Sequence, residues 1–82
     1  MPTTPAQPTS LRKDVEKAMQ TYFSNLGDES ITDLYQLVLQ EVEGPLLKAV
    51  LRHTGSNQCK ASIMLGLNRG TLRKKLRQHG LL

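Results

Sequence analysis

No tryptophan, one phenylalanine and two tyrosines leave this 82-residue chain almost without aromatic anchors. A core must therefore come from aliphatic side chains packed between helices. β-formers are sparse and leucine is abundant, which points to an all-α class. A single cysteine excludes an internal disulfide and fits a reducing compartment. No apolar run approaches the ~18 residues of a membrane span, and the N-terminus has no apolar signal segment. A soluble, cytoplasmic protein is expected. Glycine-rich phosphate loops are missing as well. The most consequential absence is of one charge: after Glu43 there is no Asp or Glu at all.

What remains in that acid-free stretch is eight Lys or Arg, so residues 44–82 sum to +8 and residues 1–43 to −4. The total of +4 conceals the division. Four of the nine side chains in Asn68–Leu76 are cationic. Such a concentrated field suits a polyanion. An isolated basic pair is usually a solvated helix face. This one follows a glycine turn and a short helix, which changes its meaning.

Residues 1–10 (MPTTPAQPTS) hold three of the four prolines and no charge, and read as a disordered lead-in. Ser10 is a candidate N-cap. Leu11, Val15, Ala18, Met19, Tyr22, Phe23 and Leu26 then recur on one helical stripe, which Gly27 ends. Ser30-Ile-Thr-Asp33 resembles a capping box and predicts a second helix over about residues 31–53. Its stripe of Ile31, Leu34, Tyr35, Val38, Val42, Leu46 and Val50 is joined by Leu37, Leu39, Leu47 and Leu51 on other faces. A helix apolar on so many sides needs cover that a short monomer cannot supply. A homodimer built on residues 11–54 is therefore expected, with Leu34, Val38, Val42, Leu46 and Val50 in its dimer or core face. Pro45 should kink this helix.

Residues 55–82 read as a helix-turn-helix. A helix from Gln58 to about Leu65, the turn Gly66-Leu67, an Asn68 cap and a helix to about His79 form the pattern. Leu65, Leu67, Leu72 and Leu76 face inward, and small Ser62 sits where the helices cross. In this arrangement the N-terminal residues of the second helix meet base edges in the major groove. Here these are Asn68, Arg69 and Thr71, and Gly70 leaves room for close approach. Arg69 can pair with guanine and Asn68 with an adenine edge. Arg73, Lys74 and Arg77 turn outward to the DNA backbone or its flanks. Asn57 and Gln58 offer phosphate donors at the start of the preceding helix.

The segments LRKDVEKAMQTYFSNL, ITDLYQLVLQEVEGPLL and above all GLNRGTLRKKLRQHG make the chain resemble the Fis family of bacterial nucleoid-associated proteins, from about Leu11 to Gly80. The resemblance implies a four-helix subunit, an intertwined homodimer, and bending of double-stranded DNA at degenerate sites. Part of the readout would come from a compressible minor groove between the two contacts. It implies Asn68 and Arg69 at bases, Asn57, Thr71 and Lys74 on phosphates, and Arg73, Lys75 and Arg77 on flanking DNA. Well-known members carry a longer N-terminal arm that activates a DNA invertase. The ten residues before Leu11 cannot form it, so recombinase activation is not expected. Gly55 stands where the family has a basic residue tied to flanking DNA and RNA polymerase contact, and Cys59 replaces a threonine beside phosphate. A weaker polymerase contact and an altered backbone grip are expected.

Other constellations are weak. Cys59, His53 and His79 are too few and too scattered for a zinc site, and Cys59–His53 lacks an orienting acid for nucleophilic work. No cofactor and no enzyme activity are expected. Two other functions fit the composition. One is the C-terminal DNA-binding domain of an enhancer-binding transcriptional activator, which shares the last fifty or so residues. The other is a basic helical module for acidic proteins or membrane surfaces. The missing apolar face opposite the basic residues speaks against the second.

Overall fold

The computed structural model describes residues 8–82, and within them the chain is all-α with four helices. These are α1 (Pro8–Ser24), α2 (Leu34–His53), α3 (Gln58–Leu65) and α4 (Arg69–Gln78). The first compact unit ends at Thr32 and holds α1; Asp33–Leu82 form the second. The helix-turn-helix thus shares its compact unit with all of α2.

The lead-in expected over residues 1–10 lies outside the described residues up to position 7. Its last three residues belong to α1 (Pro8–Ser24), so Ser10 lies inside the helix and is not its cap. On α1, Met19 is half-buried, as is Leu26 just beyond its end, whereas Leu11, Val15, Tyr22 and Phe23 remain exposed.

The start of α2 also differs from the capping-box expectation. Asp33 occupies the cap position with φ 58° and makes no side-chain cap bond. The box calls for Glu or Gln at its last position, and Asp is one methylene too short to reach back. From Leu34 the helix runs unbroken through Pro45 to His53. Pro45 donates no bond to the Glu41 carbonyl, a loss that helix packing around it must offset.

The second unit is organised by five buried apolar side chains: Leu47 and Val50 of α2, Ala61 of α3, and Leu72 and Leu76 of α4. Leu51, Leu65 and Leu81 pack against them. Leu76 is 0% exposed and Leu72 1%, so each contributes on the order of 2 kcal/mol by burial. Ser62 is the one buried polar residue among the described residues, and its hydroxyl donates to the Cys59 carbonyl at 2.8 Å. Ser62 and Ala61 are small enough to let α3 nest between its neighbours.

Among the five residues expected in a dimer or core face, Val50 is buried in this core. Leu34 and Val38 are half-buried, and Val42 and Leu46 are exposed. Tyr35, Leu39, Val42 and Leu46 share one seam of α2, and all four lie open.

Candidate nucleic-acid interface

The turn between α3 and α4 is set by backbone chemistry. Gly66 has φ 74°, a conformation that strains residues with a Cβ. Its N–H donates to the Ile63 carbonyl at 3.2 Å, and the Leu67 N–H to Ser62 at 2.9 Å. This closes α3 and redirects the chain. Asn68 then begins α4, its Oδ1 accepting from the Thr71 N–H at 2.7 Å. Asn57 does the same for α3, accepting from the Lys60 N–H at 3.0 Å. Both short helices therefore start on an asparagine cap, with no acidic side chain in either first turn.

These caps refine what the two asparagines can offer. A bidentate pair with adenine needs Oδ1 and Nδ2 together. The Thr71 N–H takes one lone pair of Asn68 Oδ1 and so fixes the amide's orientation, while Nδ2 is left to donate outward. The cap therefore leaves the two N–H donors of Nδ2, suited to acceptors on a base edge or phosphate.

On α4, Leu72 and Leu76 bury one side of the helix. Arg69, Gly70, Arg73, Lys74 and Arg77 are exposed, and Thr71 is half-buried. Arg73 is held from outside: its Nη1 donates to Gln58 Oε1 at 3.1 Å. That bond ties the N-terminus of α3 to the middle of α4, and it engages one end of a side chain expected to face phosphate. The amide nitrogen of Gln58 stays available as a donor.

Lys75 does not join the outward row that the resemblance suggests for it. Its Nζ donates to Glu43 Oε2 at 2.7 Å, with the two side chains 32% and 27% exposed. His79 reaches the same carboxylate, its Nε2 lying 2.9 Å from Oε1. Glu43 is thus bound on both oxygens by residues one helical turn apart. The Lys75 hydrogen bond, then that of His79, hold its carboxyl below the ordinary value of 4.5. Gly44 completes the platform. A Cβ there would come within 3.2 Å of His79 Nδ1, so a larger residue would require the imidazole to give way by a few tenths of an ångström. The open cleft lined by Gln36, Gln40, Glu43, Lys75, Gln78 and His79 lies on this side of α4.

Glu43, Gly44 and His79 as a group escape a reading of the sequence, although a signal is present. Leu72, Lys75, Leu76 and His79 fall at i, i+3, i+4 and i+7, one face of a helix. Lys75 shares its face with the buried leucines, not with Arg73 and Lys74. Glu43, the last acid before the basic stretch, is its natural partner. Cys59 is exposed and unpaired, and His53 ends α2.

The sequence profile described as bacterial regulatory protein, Fis family, matches residues 38–79. That span takes in most of α2, all of α3 and all of α4. A Fis-like DNA-binding protein of Pseudomonas aeruginosa is 57% identical over 98% of this chain and 78% of its own length. The DNA-binding protein Fis of Actinobacillus succinogenes is 54% identical, over 87% of this chain and 72% of its own. That of Yersinia enterocolitica is 51% identical over the same shares.

Proposed function

The chain belongs to the Fis family of bacterial regulatory proteins, and on that premise we propose that it is a homodimeric, nucleoid-associated protein that binds and bends double-stranded DNA. The observation that carries the reading is the exposed cationic row of α4. Arg69, Arg73, Lys74 and Arg77 are all exposed on a capped helix that Leu72 and Leu76 lock to the core. Arg69, next to the cap, reads a guanine edge, with the Asn68 amide nitrogen as a second donor group. Lys74, Arg73, Arg77, Thr71 and the amides of Asn57 and Gln58 hold the backbone. Lys75 supports α4 from behind.

The dimer is supported by the open seam of Tyr35, Leu39, Val42 and Leu46 on α2 and by the open apolar residues of α1. Exposed apolar surface of this extent is ordinarily covered by a partner. Two copies would present two α4 helices to one duplex, which bends to meet both and contributes sequence preference through its deformability. Regulation of transcription through degenerate sites in a bacterial nucleoid follows from such binding. Similarity to relatives extends through α1 and over most of their length, which favours small free-standing regulators over the tail of a larger activator. With Gly55 in the turn before α3, contact with RNA polymerase is weaker than in relatives carrying a basic residue there. Contact with a recombinase is not part of the proposal.

Gel-shift titration on circularly permuted duplex fragments tests binding, stoichiometry and bending together. Mobility should depend on the position of the site in the fragment, and affinity should fall steeply with salt, by ~0.9 in log K per neutralised phosphate. Salt-insensitive binding would sink the DNA reading. Mobility independent of site position would remove bending while leaving binding intact.

A further inference from the structure

The geometry points to Glu43 as a positioning residue for DNA recognition: it fixes the orientation of α4 through Lys75 and His79, and so decides how well Arg69 discriminates between sites. This rests on the DNA-binding reading above.

The contacts of α4 divide into two kinds. Leu72 and Leu76 anchor it to the core through apolar packing, which is non-directional and tolerates a roll of the helix about its axis. Polar contacts that fix the roll are few. Among the described residues, the side-chain bonds joining α4 and its cap to other elements are Arg73 to Gln58, which is exposed, and Lys75 and His79 to Glu43, which are partly buried. The Glu43 pair is the stronger restraint. Its contact with Lys75 is ionic, it grips two residues one turn apart, and each grip takes a different carboxylate oxygen. Two points along a helix define its direction as well as its distance. Gly44 allows the close approach, since any Cβ would press on the His79 ring.

The charge arrangement sharpens this role. Among the described residues, Lys75 is the one base of α4 paired with a carboxylate within the fold. It stands on the far side of a helix roughly 10 Å across, beyond a Debye length of about 8 Å at physiological salt. It therefore adds little to general attraction for DNA. Removing the clamp should leave the cationic row intact and change only its aim. Arg69 sits at the opposite end of α4 from His79, where a change of tilt moves a side chain furthest. A bidentate contact depends on that aim; attraction to phosphates does not.

The experiment compares two duplexes in the full-length protein: one selected by the wild type from a random pool, and one of mixed sequence. Glu43→Gln should lower the ratio of selected-site to mixed-sequence affinity about tenfold, part of the discrimination that a bidentate arginine supplies. Mixed-sequence affinity should change less than about twofold, with the salt slope preserved. Lys75→Gln should do the same. The double variant should lose no more than either single one, because both act through one pair. A loss of stability alone would reduce both affinities by one factor and leave the ratio untouched. The inference is overturned if the ratio holds in Glu43→Gln, if the two losses multiply in the double variant, or if Lys75→Gln lowers the salt slope by about one contact. Should Glu43→Gln not fold, the Lys75→Gln ratio and slope decide alone. A wild type that binds neither duplex would refute the DNA reading itself, a result distinct from all of these.

Discussion

Arg69 and Lys74 carry the same charge on the same helix, yet their removal should produce different failures. Arg69 is the first residue of α4, beside the Asn68 cap, where a guanidinium can align with a base edge. Lys74 lies further along the helix and is exposed, where its ammonium would meet a phosphate as a point charge. Arg69→Ala should cost about 1–3 kcal/mol at preferred sites and little on mixed-sequence DNA. Lys74→Ala should weaken every duplex alike and reduce the salt slope by ~0.9. Anisotropy titrations at several salt concentrations separate the two, and the reverse pattern would exchange the roles. Gly66 gives a third test at this scale. With φ 74° and no neighbouring atom within 4 Å of where a methyl carbon would sit, Gly66→Ala meets no clash, only backbone strain. It should lower stability by about 1–2 kcal/mol in a denaturant melt without altering site preference.

Helices α3 and α4 are legible in the sequence almost to the residue, because their ends are written in local chemistry. Asn57 and Asn68 accept from the N–H three residues on, and Gly66 supplies the left-handed turn. Where the same vocabulary is incomplete, it misleads. Ser30 and Asp33 look like a capping box, but the short Asp side chain makes no cap bond and α2 starts after it. The partner of Lys75 is hidden for a different reason: the pair spans 32 positions in the chain, and only packing brings α2 under α4. That pair makes a pH prediction. Hydrogen bonds from Lys75 and then His79 lower the Glu43 pKa in the folded state, so the unfolded chain binds the proton more tightly. The stabilisation is present above the ordinary value of 4.5 and is lost as pH falls through the lower folded value. Urea melts should therefore show wild type more stable than Glu43→Gln at neutral pH, with the gap closing in acid. A gap independent of pH would mean that the carboxylate charge is not what stabilises the contact.

Across the whole molecule, the charge division and the apolar seam complement each other. The acid-free segment gathers its bases around a helix that one chain presents once, and a single short helix holds DNA weakly against salt. Pairing two chains raises the grip without any new contact, since the second helix binds at high effective concentration. The proposed means is the exposed seam of Tyr35, Leu39, Val42 and Leu46 on α2, the helix that also carries Leu47 and Val50 of the second unit's core. Val42 and Leu46 are 49% and 47% exposed, so charging one of them should not disturb the core of its own chain. Sedimentation equilibrium should accordingly find the wild type at twice its 9.2 kDa chain mass. Val42→Asp should shift it towards the single-chain mass while its far-UV helix signal from the second unit persists. Because both duplex contacts then bind separately, affinity for DNA should fall by about 10²–10⁴-fold, although every residue of α4 is unchanged. A wild type that sediments as one folded chain, or a Val42→Asp variant that is monomeric yet binds DNA undiminished, would break the link between the seam and the grip.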